Sequence, residues 1–355
     1  MRSYQSFTEC YYDLIDELTN RYEYESAPRG MSIRESLAVQ FEITNPRDRL
    51  LYVPERKFSL SYMIAELVWY FSGNNTTAWI ANYSKFWANL SDDGETANSG
   101  YGARLFRPHP RLADGKLNQW DYVVEELRRD HDSRRAVMHI RTPWDSLPEY
   151  ASKDVPCTLT LQFFIREEKL HMIASMRSSD IIRGIAYDVP FFTMLQEALA
   201  LELGVGLGTY RHISGSLHVY ERHYKMCEKI LSGVQWGEDK IIEHFPFDAK
   251  QIRHDKIEVK VLPRSMPMPP LPDLPFGPVK MLDQIQAAAR ATTWERVTEL
   301  EDQWVGLEST GLDDEYWIDW AKVLLAHRAG KLKEPEFKRN ILNSVSFDGY
   351  KFFDK

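Results

Sequence analysis

The stretch that decides the fold of this chain is residues 155–180, VPCTLTLQFFIREEKLHMIASMRSSD. It contains two apolar runs on either side of the charged residues 167–169. Apolar runs of this length around a polar turn predict two long strands joined as a hairpin. Because a hairpin folds back on itself, we expect Cys157 and Arg177 to lie near the same end of it. The two predicted strands are residues 157–165 and 170–176.

Helical and extended patterns alternate on both sides of this hairpin. Apolar groups recur at helical intervals in six segments, which are residues 8–22, 59–71, 77–90, 118–129, 190–203 and 219–231. Further strands are predicted at residues 36–44, 136–141 and 206–213. Helices interspersed with strands predict an α/β (α+β) domain, in which a mixed sheet is flanked by helices.

A break in composition comes at residues 263–278, PRSMPMPPLPDLPFGP. So many prolines exclude a helix or a central strand and predict an extended connector. Beyond it the pattern is helical at residues 279–305 and 314–329. We therefore divide the chain into a catalytic domain (1–262), this proline-rich connector and a helical C-terminal extension (279–355).

Composition narrows the class of protein. The 355 residues carry a formal net charge of −8, whereas nucleic-acid-binding proteins usually present a basic surface. The three cysteines are scattered and odd in number, so they predict no disulfide framework and fit a reducing, cytoplasmic compartment. The N-terminus lacks the apolar core of a secretory signal, and no apolar stretch reaches the length of a membrane helix. We expect no nucleic-acid or membrane partner, and we assign no metal site.

Cys157 is the first candidate for chemistry. A cysteine at the start of an apolar strand is also compatible with a small buried hydrophobic residue. A nucleophilic thiol needs a nearby cation that lowers its pKa, and the far end of the predicted hairpin supplies Arg177.

Several arginines could together form a phosphate site. The pair Arg134-Arg135 precedes a predicted strand, and by itself it is compatible with a solvated surface pair. With Arg29 and Arg177 it could form a phosphate cradle, because guanidinium groups match phosphate oxygens.

Three more polar residues stand out. Glu66 lies inside the apolar helical stretch MIAELVWYF, where a carboxylate needs either a partner or a function. His218 and Tyr220 point the same way at a strand end, and both could hydrogen-bond a sugar hydroxyl.

Taken together, these residues resemble the thymidylate synthase family over roughly residues 20–262. Seven short motifs occur in the family's order, and the tail after the connector has no counterpart that we recognise. The motifs are Glu66-Leu67-Val68-Trp69, Tyr101-Gly102, Arg134-Arg135, Pro156-Cys157, Arg177-Ser178-Ser179-Asp180, Asp188 and His218-Val219-Tyr220.

The resemblance implies a mechanism. The Cys157 thiolate would add to C6 of a pyrimidine nucleotide, and C5 would then attack the one-carbon unit of 5,10-methylenetetrahydrofolate. Glu66 and Tyr101 would organise the waters and the proton transfers. Departure of the folate would leave a methylene group on C5. In a hydroxymethylase water would add to this group, and in a thymidylate synthase hydride would add to it.

The resemblance also assigns binding roles. Arg29, Arg177 and Ser178 would bind the nucleotide, with His218 and Tyr220 on the sugar 3′-hydroxyl. A homodimer is implied, since the paired arginines would reach the phosphate of the neighbouring subunit. The positions similar to those that contact the folate are Trp87, Asp180 and Gly184.

Asp188 stands where thymidylate synthases carry asparagine. A carboxylate accepts from the 4-amino group of cytosine, and against uracil it faces O4, acceptor against acceptor. Family members with this aspartate are the deoxycytidylate 5-hydroxymethyltransferase and the cytidylate hydroxymethylases. Ser178 matches the deoxynucleotide enzymes and favours dCMP. A helix N-cap is the structural alternative for Asp188, because a predicted helix follows it.

Other interpretations stay open at this stage. The chain could act on CMP, methylate a cytosine nucleotide, or be an ordinary thymidylate synthase acting on dUMP. It could also be an idle nucleotide-binding or assembly protein whose working part is the tail. Two departures from the family affect the site: Ser216 replaces an aspartate near the sugar, and the chain continues past the residues that normally close the site.

Overall fold

The protein is described from a computed structural model. The structure describes residues 1–108, 117–148, 151–232, 253–254, 257–258, 266–272, 315–351 and 353. The chain forms two compact units, each assembled from separate segments. The first contains Met1–Phe58, His171–Gln196 and Leu207–Met268, and the second contains Ser59–Leu170, Glu197–Gly206 and Pro269–Lys355.

The first unit is built on a mixed sheet. Its strands are β1 (Arg2–Tyr4), β2 (Tyr24–Ser26), β3 (Ile33–Ile43), β6 (Lys169–Met176, mostly in this unit), β7 (Ser179–Asp180) and β8 (Gly206–Tyr220). The order is β1-β3-β8-β6, with β2 on β3 and β7 on β8. Strand β1 is parallel to β3, whereas β8 is antiparallel to it. The predicted mixed sheet is confirmed.

Among the described residues, three helices accompany this sheet: α1 (Phe7–Asn20), the first part of α7 (Ile185–Leu203) and α8 (Tyr224–Leu231). Helix α1 begins at its N-cap Ser6, whose side chain accepts from the backbone N–H of Glu9. Two-residue strands β9 (Arg253–His254) and β10 (Ile257–Glu258) pair with each other.

Two predicted boundaries at the sheet are wrong. The helix predicted from Val219 begins at Tyr224, because β8 continues to Tyr220 in register with β3. The helix predicted from Pro190 begins five residues earlier at Ile185, and Pro190 lies within its first turns. As the sixth helical residue, Pro190 cannot supply the N–H that would otherwise bond the carbonyl of Ala186.

The second unit is mainly helical. Its helices are α2 (Leu60–Phe71), α3 (Thr77–Ile80), α4 (Phe86–Leu90), α5 (Tyr101–Phe106), α6 (Gln119–Arg129), α9 (Glu315–Lys331), α10 (Pro335–Asn343) and α11 (Asp348–Lys351), with the end of α7. The single helix predicted at 77–90 is two short helices. Strands β4 (Val137–His139) and β5 (Thr158–Arg166) pair antiparallel.

The hairpin turn follows the prediction closely. Strand β5 ends at Arg166 and β6 begins at Lys169, so two residues connect them. Both connecting residues, Glu167 and Glu168, have positive φ values, of 51° and 53°. Two left-handed residues in succession form the type of turn whose twist matches a two-residue hairpin.

The predicted C-terminal extension falls only partly on described residues. Helix α9 confirms the helical pattern at 314–329, while 279–305 lies outside the described residues. Helix α9 packs on α2 within the second unit, where His327 Nδ1 lies 3.0 Å from Ser61 Oγ. The division into three domains stays a prediction, but these last helices share a compact unit with α2.

Part of the connector is also described. Residues 266–272 form neither helix nor strand, and Met268 and Leu271 are buried. The Met268 N–H donates to the carbonyl of Arg47, and the Leu271 N–H donates to Glu197 Oε1. Along the described residues, no helix combines the length and apolar character needed to cross a bilayer.

Candidate active site

Arg29 lies at the tip of the turn between β2 and β3, with its side chain exposed. Arg29 and Gly30 both have positive φ, of 55° and 75°. This tight turn directs the Arg29 guanidinium toward the end of β8, where its Nη2 lies 3.5 Å from the Tyr220 hydroxyl. The rings of His218 and Tyr220 pack edge to face at 5.3 Å.

The short strand β7 connects the Arg177-Ser178 pair to the same region of the sheet. Asp180 lies opposite His218 in a parallel pairing with β8. Arg177 Nη1 donates to Ser178 Oγ over 3.3 Å. Asp180 Oδ1 accepts from the N–H groups of Ile182 and Arg183, which shapes the turn that leads into α7.

Asp188 lies in the first turn of α7 and keeps partial contact with the surface. Burial, and to a smaller extent the negative charge of Asp180, raises the pKa of its carboxyl to about 7. Gly184 is pressed against it: a Cβ on Gly184 would lie 3.2 Å from Asp188 Oδ2. Because the helix begins at Ile185, Asp188 is not its N-cap.

In the second unit, Glu66 is only 6% exposed and is held by tyrosines of its own helix. The Tyr62 hydroxyl donates to Glu66 Oε1 at 2.5 Å, and the Tyr70 hydroxyl lies 3.4 Å from the same oxygen. Trp87 Nε1 donates in turn to the Tyr62 hydroxyl over 3.0 Å. The carboxylate is therefore buried with hydrogen-bond donors, as a buried charge requires.

Tyr101 connects this cluster to the neighbourhood of the thiol. Its ring stacks on Tyr70 at 5.2 Å, and its hydroxyl accepts from Thr158 Oγ1 at 2.9 Å. Cys157 immediately precedes Thr158 at the start of β5 and is partly exposed, whereas Cys10 and Cys227 are buried. Burial raises the pKa of the Cys227 thiol to about 12, which makes it a poor nucleophile.

The paired arginines have exposed side chains on an anchored backbone. The Arg134 carbonyl accepts from Gln162 Nε2, and the Arg135 N–H donates to Ser133 Oγ. Ser133 is itself bonded to buried Glu126. The anchored segment thus presents two guanidinium groups to solvent.

The predicted site residues therefore fall into two local groups. The first unit groups the nucleotide-reading candidates: Arg29, Arg177, Ser178, Asp180, Gly184, Asp188, His218 and Tyr220. The second groups the reaction candidates with the arginine pair: Glu66, Trp87, Tyr101, Arg134, Arg135 and Cys157. The expected approach of Cys157 to Arg177 stays a prediction.

Sequence reasoning missed two polar groups. Tyr62 precedes Glu66 by four residues on a helix, a spacing that could have indicated their contact. Glu35 is bonded to Ser26 and Ser216, and no local signal could have shown the contact with Ser216, because the two residues are far apart in sequence.

The sequence model of the thymidylate synthase family matches residues 9–254. The chain belongs to the thymidylate synthase family. The predicted family, with its mixed sheet flanked by helices, is confirmed.

Two relatives are named deoxyuridylate hydroxymethyltransferase. The protein from Bacillus phage SP01 is 32% identical over 249 residues, which are 67% of this chain and 65% of the relative. The protein from Delftia phage PhiW-14 is 32% identical over 217 residues, 57% of each. The chain thus matches less than two thirds of the length of either relative.

The fold also matches a solved structure. Thermostable thymidylate synthase A from Bacillus subtilis superposes with a TM-score of 0.54 at 22% identity. The match covers 66% of this chain and 90% of that one. At this level of identity, the likeness concerns the fold alone.

Proposed function

We propose that this protein transfers a one-carbon unit from 5,10-methylenetetrahydrofolate to C5 of dCMP, with water giving 5-hydroxymethyl-dCMP. One arrangement carries the proposal. Partly exposed Cys157 precedes Thr158, which donates to Tyr101, and Tyr101 stacks on a tyrosine whose hydroxyl lies 3.4 Å from the buried carboxylate of Glu66. A thiol and a held carboxylate are the two groups that this reaction requires.

The reaction begins with the Cys157 thiolate. Its sulfur forms a bond to C6 of the pyrimidine, and the electron pair moves to C5, which bonds the one-carbon unit. Loss of the C5 proton and expulsion of the folate amine leave an exocyclic methylene. Water adds to that carbon, and the C6–sulfur bond breaks to return the thiolate. In this scheme Glu66 orients the attacking water and Tyr101 shares its proton.

The folate supplies the carbon at the oxidation level of formaldehyde, and three residues are proposed to contact it: Trp87, Asp180 and Gly184. Trp87 offers an indole held by its bond to Tyr62. Gly184 lies where a side chain would meet Asp188, and a Cβ there would also lie 3.1 Å from the carbonyl of Asp180. The missing side chain leaves room for these two oxygens, and the contact between the folate and Gly184 stays a proposal.

Base choice rests on Asp188. The ionised carboxylate accepts from the 4-amino group of cytosine, and also from N3 once that nitrogen has taken up a proton in the thiol adduct. That second bond forms as the reaction proceeds, so it stabilises the transition state more than the bound substrate. Ser178 favours the deoxyribose form over CMP.

A second candidate is dUMP, and two observations favour it. The relatives from both phages are named for deoxyuridylate. Burial raises the pKa of Asp188 to about 7, so its protonated form is populated near neutral pH. A protonated carboxyl can donate to O4 of uracil and accept from N3–H, as an asparagine amide does.

A homodimer belongs to the same proposal. The exposed guanidinium groups of Arg134 and Arg135 would bind the nucleotide phosphate of the partner subunit. A cytoplasmic location is also proposed, and it is supported by the absence of a disulfide among the three cysteines, all of which the structure describes.

The test offers dCMP, CMP and dUMP side by side, each with methylenetetrahydrofolate. We expect tritium release from C5-labelled dCMP and a product heavier by one hydroxymethyl group in mass spectrometry. Cys157→Ala should abolish release, while Cys227→Ala, which removes a buried thiol, should retain it. Release from dUMP alone would refute the cytosine assignment, and release by Cys157→Ala would refute the nucleophile.

The dimer has its own test. Cys157→Ala and Arg134→Ala/Arg135→Ala proteins should each be inactive. Mixed dimers contain one site with an intact thiol and intact partner arginines, so mixing should restore part of the activity. Two proteins that stay inactive after subunit exchange would contradict arginines acting across subunits.

A further inference from the structure

Glu35 carries a carboxylate that none of the roles above uses. It lies on β3, the strand between β2 and β8. Each carboxylate oxygen accepts a hydrogen bond from a serine hydroxyl: Oε1 from Ser26 at 2.7 Å and Oε2 from Ser216 at 2.6 Å. The two serines come from the strands on either side, so one carboxylate bridges three strands.

The register places these groups on one face of the sheet. Glu35 lies directly opposite Tyr24 on β2 and opposite His218 on β8. Directly opposed residues point to the same face, and so do residues two positions away on each strand. Ser26 and Ser216 therefore share a face with Glu35 and His218.

The two serines lie next to the two segments that carry proposed nucleotide-binding residues, the Arg29 turn and the His218–Tyr220 strand end. Ser26 is the last residue of β2 before the turn that carries Arg29. Ser216 lies two residues before His218 on β8. The turn and the strand end are also joined directly, because the Glu221 N–H donates to the carbonyl of Ser32.

The ring of His218 is held by its own strand. His218 Nδ1 lies 3.4 Å from the carbonyl of Ser216, which favours the tautomer with a proton on Nδ1. Nε2 is then an acceptor for a sugar hydroxyl. Hydrogen bonds from Ser216 and Ser26 lower the pKa of Glu35, so the carboxylate is ionised at neutral pH.

We propose that Glu35 is a positioning residue that orders the Arg29 turn and the His218–Tyr220 strand end for a nucleoside 5′-monophosphate with a 3′-hydroxyl. This inference rests on the proposed function. Glu35 acts through Ser26 and Ser216 and does not itself contact the nucleotide. In this chain it supplies a carboxylate beside Ser216, the position at which the family's aspartate is absent.

The test compares Glu35→Gln with wild type in titration calorimetry with dCMP and dUMP. We expect binding of the preferred nucleotide to weaken about tenfold, with KM rising to match and kcat unchanged within twofold, which corresponds to the loss of about one charge-assisted hydrogen bond. With 2′,3′-dideoxycytidine monophosphate, which lacks the 3′-hydroxyl, the same substitution should weaken binding less than threefold.

A matched control exists on the same strand. Glu42 also accepts from a serine, Ser3, and from a residue of β8, Arg211, but at the other end of β3. Glu42→Gln should leave nucleotide affinity unchanged. Glu35→Gln/Ser216→Asp moves the carboxylate to the adjacent side chain and should recover most of the lost affinity.

The outcomes separate the two proposals. Wild-type protein that binds neither dCMP nor dUMP would overturn the proposed function and this inference with it. Tight wild-type binding that Glu35→Gln leaves unchanged would overturn this inference alone, and so would a loss equal for the dideoxynucleotide. If the Glu35→Gln protein melts well below the Glu42→Gln protein, the milder variant Ser216→Ala replaces it in the test. This variant removes only the hydrogen bond between Ser216 and Glu35. It should then weaken binding about threefold, and unchanged affinity would again refute the inference.

Discussion

Tyr62 and Glu66 lie one turn apart on α2, and the phenol of Tyr62 donates to Glu66 Oε1 at 2.5 Å. The indole of Trp87 donates to the same phenol. A hydrogen bond to a carboxylate is stronger than one between neutral groups, and burial strengthens it further. Tyr62 therefore fixes the direction in which the proposed water-orienting carboxylate points.

Replacing Tyr62 tests this relationship. Tyr62→Phe removes the donor and keeps the ring, so we expect kcat to fall about 10-fold to 100-fold, equivalent to about 1.5–3 kcal/mol. The KM for nucleotide should change little. The control is Tyr22→Phe, which removes a comparable tyrosine–glutamate bond at the exposed pair with Glu25. An unchanged kcat for Tyr62→Phe would show that Glu66 does not depend on this bond.

Gly102 is predicted to tolerate no side chain. A Cβ there would lie 2.0 Å from the carbonyl oxygen of Tyr70, the residue on which Tyr101 stacks. Gly102→Ala should lower the free energy of unfolding by about 1–3 kcal/mol and displace Tyr101, so that activity falls as well.

Helical Gly330 offers the matched substitution, since a Cβ there meets only the end of Lys338 at 3.4 Å. Gly330→Ala should stabilise the protein by about 0.5–1 kcal/mol. Urea unfolding measures both variants. Equal stability of the two would contradict the close approach at Gly102.

The pKa of Asp188, raised by burial to about 7, predicts a pH-dependent base preference. Below pH 7 the carboxyl is protonated and can donate to O4 of uracil. Above pH 7 it is ionised and repels that oxygen. Between pH 6 and pH 8 the protonated fraction falls about tenfold and the ionised fraction rises about tenfold, so kcat/KM for dUMP relative to dCMP should fall about 100-fold.

Asp188→Asn is the control for that titration. Its amide cannot ionise, so the ratio of the two substrates should favour dUMP and stay constant over the same pH range. A ratio that is flat with pH in the wild-type protein would mean that Asp188 keeps one protonation state throughout.

His212 predicts acid sensitivity of the fold. It is fully buried, stacks on Phe41 at 4.9 Å, and its Nδ1 lies 2.8 Å from the Tyr210 hydroxyl. Burial lowers its pKa to about 3, below the usual value near 6.5, so the unfolded chain takes up the proton first as pH falls. Stability is therefore full above about pH 6.5 and is lost toward pH 3, with a loss of roughly 2 kcal/mol by pH 5.

Denaturant melts at pH 7 and pH 5 check this. His212→Gln removes the titrating group and should lessen the difference between the two melts. His131→Gln, on an exposed loop, should leave it as in the wild type. An undiminished difference in His212→Gln would assign the acid sensitivity to other groups.

Local signals predicted much of the secondary structure. Helix α2 follows the pattern predicted at 59–71, and the turn at Glu167-Glu168 lies where the charged triplet indicated it. The wrong boundary at Val219 has a tertiary cause. Residues 219–220 have a helical apolar pattern, but pairing with β3 keeps them extended. Propensity is a weak preference that such pairing overrides.

The candidate site also contains residues that local motifs indicated and one that only tertiary contacts revealed. Cys157, Glu66 and Asp188 were found from short motifs, because each motif combines residue types and spacings that the chemistry requires. Glu35 was not found from the sequence, because its proposed role depends on the hydrogen bond from Ser216. Ser216 is distant in sequence and becomes adjacent only after β3 pairs with β8.

The sequence alone determined the family, the hairpin around residues 155–180 and the identity of the proposed nucleophile, because these depend on local order along the chain. Only the tertiary structure decided the properties that arise when distant segments meet. Burial raises the pKa of Asp188, and helix α9 of the C-terminal extension packs on α2 within the unit that carries Glu66. Both effects depend on solvent exclusion and on contacts between distant residues, which no local pattern encodes.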